Sequence, residues 1–139
     1  IIRKPDVLVV RLIEFSPVYL WNDKVYIDKN GNKMIPRSYP IKKILKLRSN
    51  VSSSNEAHNL YQDIQDILSK INLNVVEIHR DLDLVKIKTD KYNFTVNYDV
   101  LERKLTEFTA IYDQFKSNIK NNFDPKNIDL RYPTGFAVQ

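Results

Sequence analysis

The side chains able to do chemistry are scattered along this chain. His58 and His79 lie far apart, with no His or Cys at ligand spacing, so both read as ordinary polar positions rather than metal ligands. Asp81 and Asp83 alternate with Leu82 and Leu84, which is the pattern of a solvated strand face. Spacing alone does not exclude a catalytic carboxylate pair there, but no other residue supports one. Ser16, Ser38 and Ser52 to Ser54 lack the surroundings of a nucleophile elbow. The chain has no cysteine, which removes disulfides, thiolate nucleophiles and zinc–thiolate sites together. Its two glycines, Gly31 and Gly135, cannot write a dinucleotide fingerprint or a P-loop. No cofactor is expected, and an enzyme stays a third possibility that the missing nucleotide, metal and nucleophile motifs disfavour. What remains is chemistry done by the backbone.

The segment Asn127 to Gln139 is where that chemistry is best placed. Ile128, Leu130 and Tyr132 alternate with Asp129 and Arg131, the period of a half-buried strand. Pro133-Thr134-Gly135 then interrupts the ladder as a bulge or tight turn, because proline lacks a donor and glycine tolerates unusual backbone angles. Phe136 and Val138 resume the alternation up to Gln139. A closing strand of this kind is expected at the edge of its sheet. Its unpaired N–H and C=O groups can accept a strand from another protein.

The elements that must hold this edge are legible in outline. The 139 residues suit one ordinary domain, or one domain plus part of another, and 42% hydrophobic residues are enough for a core. Tyr, Phe, Val and Ile favour sheet. Val7 to Phe15 reads as a strand covered on both faces, continued by Val18 to Trp21, with a turn at Trp21-Asn22-Asp23. Lys24 to Ile27 and Lys33 to Ile35 flank a hairpin turn in which Gly31 supplies the positive φ. Pro36 and Pro40 bracket a loop.

Ser53 and Glu56 form a capping box before Leu60, Ile64, Ile67, Leu68 and Ile71, which predicts a helix of about four turns. Three strands follow at Val75 to His79, Leu82 to Lys88 and Tyr92 to Tyr98. Asp99 then caps a second helix with the stripe Leu101, Leu105, Phe108, Tyr112, Phe115 and Ile119. The predicted fold is α+β: a mostly antiparallel or mixed sheet packed on one side by two α-helices, with the terminal strand at the edge. Trp21 is expected in core or domain-junction packing.

Net charge is +5, which raises nucleic acid or anionic lipid as partners. The densest basic run, Lys42 to Arg48, is short and reads as solvated surface, and no recognisable reading helix accompanies it. A basic nucleic-acid-binding domain is the alternative class. Strong salt dependence in a gel-shift assay would mark it. No apolar run reaches bilayer length and no signal peptide opens the chain. Ile1 in place of Met suggests a fragment, with any membrane anchor upstream.

Two stretches together resemble the FtsQ/DivIB family of bacterial cell-division proteins. Leu12 to Asp23, followed by Tyr26 to Gly31, is similar to the family's Glu-aromatic-x-Pro-x-x-x-Trp segment and the Asp-x-x-Gly hairpin after it. Ile128-Asp129-Leu130-Arg131-Tyr132 with Gly135 is similar to its closing Asp-Leu-Arg-Tyr-x-x-Gly strand. The family often has Gly at the start of the second helix, where this chain has Asn97-Tyr98-Asp99, which leaves the turn geometry there open.

The resemblance implies a single-pass inner-membrane protein with a short cytoplasmic tail, a POTRA domain and a β domain in the periplasm. Residues 1–21 would be the end of POTRA, and 22–139 the β domain. It implies a non-catalytic divisome scaffold that holds the FtsB–FtsL pair, with a strand of FtsB added to the last strand of the β domain. No nucleic acid is expected as partner, and a weak homodimer could form through the free edge. By the same resemblance Tyr132 packs against FtsB, while Thr134, Gly135 and Gln139 are positions where bulk blocks strand addition. Arg131 faces acidic residues of FtsB. Phe136 and Val138 belong to the same edge, and Arg80 corresponds to a second partner-facing arginine.

Overall fold

Two parallel crossovers set the shape of this molecule. The computed structural model describes residues 16–35, 41, 43–119 and 124–139. Its strands are β1 (Pro17–Trp21), β2 (Val25–Asp28), β3 (Lys33–Met34), β4 (Leu45–Ser49), β5 (Val75–Asp81), β6 (Leu84–Thr89), β7 (Asn93–Asn97), β8 (Asn127–Asp129) and β9 (Ala137–Val138). The helices are α1 (Ser54–Leu68), α2 (Leu101–Ala110) and α3 (Tyr112–Asn118). The strands form one sheet in the order β3-β2-β1-β4-β5-β6-β7-β8-β9. Neighbours are antiparallel except β1–β4, β4–β5 and β7–β8, which are parallel.

A parallel pair needs a long return connection. Here α1 returns the chain from β4 to β5, and α2 with α3 returns it from β7 to β8. The intervening antiparallel pairs leave β4 and β7 pointing the same way. Both crossovers step in the same direction along the sheet, so the right-handed rule puts all three helices on one side. The fold is α+β with a mostly antiparallel sheet, as the sequence predicts.

The register explains the core. Leu47, Ile78, Ile87, Phe94 and Ile128 lie opposite one another across five strands and are buried to the last few per cent. A second row, Val85, Val96 and Leu130, lies two residues further along the same face. Against these rows α1 sets Ala57, Ile64 and Leu68, α2 sets Leu101, Leu105 and Phe108, and α3 sets Tyr112 and Phe115. Each fully buried large apolar side chain contributes about 1.5–3 kcal/mol. Trp21 joins this core. The helix-free face carries Lys46, Glu77, Lys88, Asn93 and Asn127 in one row, and Arg48, His79, Lys86, Thr95 and Asp129 in the next.

Local signals hold where they were strongest. Ser53 Oγ accepts from the Glu56 backbone N–H at 3.2 Å and caps a four-turn helix. Gly31 has φ +83°, and Asp28 Oδ1 gathers the N–H groups of Asn30 and Asn32. Asn22 and Asp23 both take positive φ in the β1–β2 turn, where the Lys24 N–H bonds to the Trp21 carbonyl.

Several expectations are corrected. The basic run contains β4, an interior strand with Leu47 fully buried, and Lys46 and Arg48 lie on its helix-free face. Leu82 lies in a turn at φ +53°, so β6 begins at Leu84. Asp99 does not cap the second helix. A 3-10 turn, Tyr98–Val100, precedes α2, which has no side-chain cap bond. The helix breaks at Ile111, whose N–H reaches the Phe108 carbonyl, before Phe115 N–H returns to the Ile111 carbonyl in α3. The expected strand Val7 to Phe15 and the loop between Pro36 and Pro40 lie outside the described residues.

Candidate functional site

The closing segment is a hairpin rather than one bulged strand. β8 lies inside the sheet, between β7 and β9, with Ile128 opposite both Phe94 and Val138. The Leu130 N–H completes the parallel ladder by donating to the Thr95 carbonyl at 2.8 Å. The chain then leaves the sheet. Pro133 has no N–H with which to continue a ladder, and Gly135 at φ +79° turns the backbone toward β9. Phe136 plugs the return: its ring lies 5.4 Å from Phe108 and 5.8 Å from Phe115, edge to face. β9 ends the sheet as its edge strand, antiparallel to β8.

The bonds at Gln139 fix which groups stay free. Its N–H donates to the Asn127 carbonyl at 2.9 Å, and its carbonyl accepts from Asn127 N–H at 3.1 Å and Lys126 N–H at 2.8 Å. Asn127 and Gln139 are therefore a hydrogen-bonded pair. In an antiparallel ladder the alternate residue turns its peptide groups the other way. Val138 N–H and C=O thus face outward from the sheet, while the Val138 side chain packs against the core.

The other site residues divide into two groups. Arg131, Tyr132, Thr134 and Gly135 line the exposed loop beside the edge, with Tyr132 half exposed. Arg131 grips Asp129 through Nε to Oδ1 at 2.9 Å and Nη2 to Oδ2 at 2.6 Å. This guanidinium holds the Asp129 carboxyl below the usual carboxylate range. A Cβ built on Gly135 meets nothing within 4 Å, so what resists an added Cβ there is backbone strain at positive φ. Phe136, Val138 and Gln139 belong to the returning strand. Arg80 is not brought to this edge. It lies on β5, four strand spacings from β9, roughly 19 Å at the usual separation. Its guanidinium covers the Tyr98 ring at 3.5 Å, and its Nε donates to the Leu82 carbonyl.

Sequence reasoning missed Lys104, which is buried on α2 and donates from Nζ to the Gly135 carbonyl at 3.3 Å. The signal was its place on the apolar stripe between Leu101 and Leu105. Among the described residues no cluster of His, Cys, Asp and Glu could hold a metal ion, and no helix is long and apolar enough to cross a membrane.

No family model matches the chain. It is 26% identical over 140 residues to the cell division protein FtsQ of Cellvibrio japonicus (strain Ueda107), covering 99% of this chain and 43% of that protein. It is also 26% identical over 147 residues to the cell division protein FtsQ of Escherichia coli (strain K12), covering 96% and 50% respectively. The chain is FtsQ-like. It spans about half the length of these curated FtsQ relatives, and each alignment takes in nearly the whole of this chain.

Proposed function

We propose that this chain is the partner-holding part of a cell-division scaffold, acting without catalysis. FtsB, together with FtsL, binds when a short FtsB strand adds to β9. The outward-facing peptide groups of Val138 carry the reading. They sit at the end of the sheet, flanked by an exposed tyrosine, an arginine and a glycine that leaves space above it. Main-chain bonds of about 0.5–1.5 kcal/mol net each give register, and neighbouring side chains give selectivity. Tyr132 is the anchor, a rigid amphipathic ring whose truncation in such interfaces often costs about 2 kcal/mol or more. Arg131 and Arg80 meet acidic groups, Arg80 at the far end of β5 rather than at the edge itself.

In the same proposal residues 1–21 end a POTRA domain and 22–139 form the β domain. β1 is the strand that joins the first to the sheet of the second, since Pro17–Trp21 pairs with both β2 and β4. The whole protein is anchored in the inner membrane by a segment preceding these residues, with this part in the periplasm. Without FtsB, a two-residue edge strand pairs only weakly with its own copy. The test is capture of the 139-residue chain by an immobilised FtsB peptide spanning the proposed strand. Saturable capture, competed by free peptide, supports the reading, and no capture at any salt concentration sinks it.

A further inference from the structure

Lys104 is the only charged residue that is buried among the described residues, at 3% exposure. Its ammonium carries three N–H donors. One reaches the Gly135 carbonyl, and no carboxylate among the described residues forms an ion pair with it. A buried cation left in that state is costly unless an anion completes it. Beside it lies a cavity of about 200 Å³ between α2 and the closing hairpin. Lys104 and Gly135 line one part of it, and Phe108, Ile111, Leu130 and Phe136 form apolar walls. Glu107 stands at its rim, 3.4 Å from Arg103.

We propose that this cavity is a receptor for a carboxylate on an apolar arm, donated by an acidic side chain of the segment that adds to β9. The inference rests on the strand-addition reading and names a second contact within it. The volume suits one side chain, because an apolar cavity of about 150 Å³ already holds a benzene ring. One ammonium balances one negative charge. A phosphate dianion would be left half-neutralised against aromatic walls and facing Glu107, so a monoanion is selected. Phe136 connects Gly135 directly to β9, so a carboxylate bound here sits beside the edge while its arm lies on the Phe108 and Phe136 rings. The ammonium then serves twice, holding the hairpin and recognising the acid.

The test uses 3-phenylpropionate as a free probe and 3-phenylpropanamide as its neutral isostere, followed by NMR. The acid is expected to shift the Ile111 methyls and the Phe108 and Phe136 rings, and to bind roughly tenfold or more tightly than the amide. Lys104→Met, checked as folded by circular dichroism, removes that preference, and Lys104→Arg retains it. Equal binding of acid and amide, no shifts at these residues, or a preference that survives in Lys104→Met would each overturn the proposal and leave Lys104 as a tether only. The probe has no backbone to pair, so such a failure alongside normal FtsB capture rejects the cavity and not the edge.

Discussion

Arg131 and Asp129 close on each other in a two-point ion pair two residues apart, and the Arg131 backbone N–H adds a third bond to the same carboxylate at 3.0 Å. The pair holds the start of the loop against the last interior strand. It also means that an acidic partner group must share the guanidinium with Asp129. Arg131 is exposed, so its contribution to folding is small, and under the proposed strand addition its contribution to encounter is larger. Arg131→Ala is expected to slow association with FtsB several-fold and to weaken its salt dependence, leaving the melting midpoint within a few degrees. Surface plasmon resonance at two ionic strengths measures this, and an unchanged association rate contradicts it.

Gly135 separates backbone strain from partner exclusion. A Cβ there meets nothing within 4 Å, so the folded-state cost of a tryptophan is expected to be mainly the left-handed backbone penalty, about 1–2 kcal/mol. Gly135→Trp should keep the circular dichroism spectrum and a cooperative melt while abolishing FtsB capture. Gly135→Asn, which tolerates the same φ, should keep both. A folded tryptophan variant that binds normally places the interface elsewhere.

Phe136 ties the edge to the core. It is half buried, so Phe136→Ala should cost less than a fully buried Phe truncation, about 1–3 kcal/mol. The loss should be local: amide exchange at Ala137 and Gln139 rises strongly, while β5 and β6 keep most of their protection. Uniform loss of protection across the sheet would show that the hairpin has no independent anchor.

His58 supplies a pH dependence unrelated to binding. It is stacked between Tyr19, at 5.0 Å, and Tyr61, at 5.9 Å, and burial lowers its pKa below the ordinary 6.5. The unfolded chain therefore takes up this proton at a higher pH than the folded chain. Stability from His58 is complete above the ordinary histidine value and is lost as pH falls through it toward the depressed folded value. His58→Phe should flatten the difference between urea midpoints measured at about pH 7.5 and about pH 5. Equal slopes in the two proteins contradict this account.

Period and punctuation made much of this architecture legible. The N-cap at Ser53, the positive-φ Gly31 turn and the alternating strands around Ile87 and Phe94 act locally, so their signals survive without tertiary context. The Glu56 side chain, however, does not close the reciprocal arm of the capping box. β4 was obscured because Lys46 and Arg48 dominate the composition of its segment, although Leu45 and Leu47 already alternate with them. The hairpin was harder. Ile128 and Val138 both face the core, so alternation reads the same whether the chain runs on or turns back at Gly135. Tertiary packing of Phe136 on Phe108 and Phe115 decides between them, and no local pattern encodes that contact. The break at Ile111 was hidden for a similar reason, since the apolar stripe continues through it from Phe108 to Tyr112.

The most direct measurement is hydrogen exchange at the Val138 amide, followed by NMR with and without saturating FtsB peptide. Strand addition to β9 predicts fast exchange in the free chain and strong protection in the complex, with little change at Lys33 and Met34 on the opposite edge. Saturable binding that leaves Val138 exchanging at its free rate, or that protects the β3 edge instead, would contradict the account.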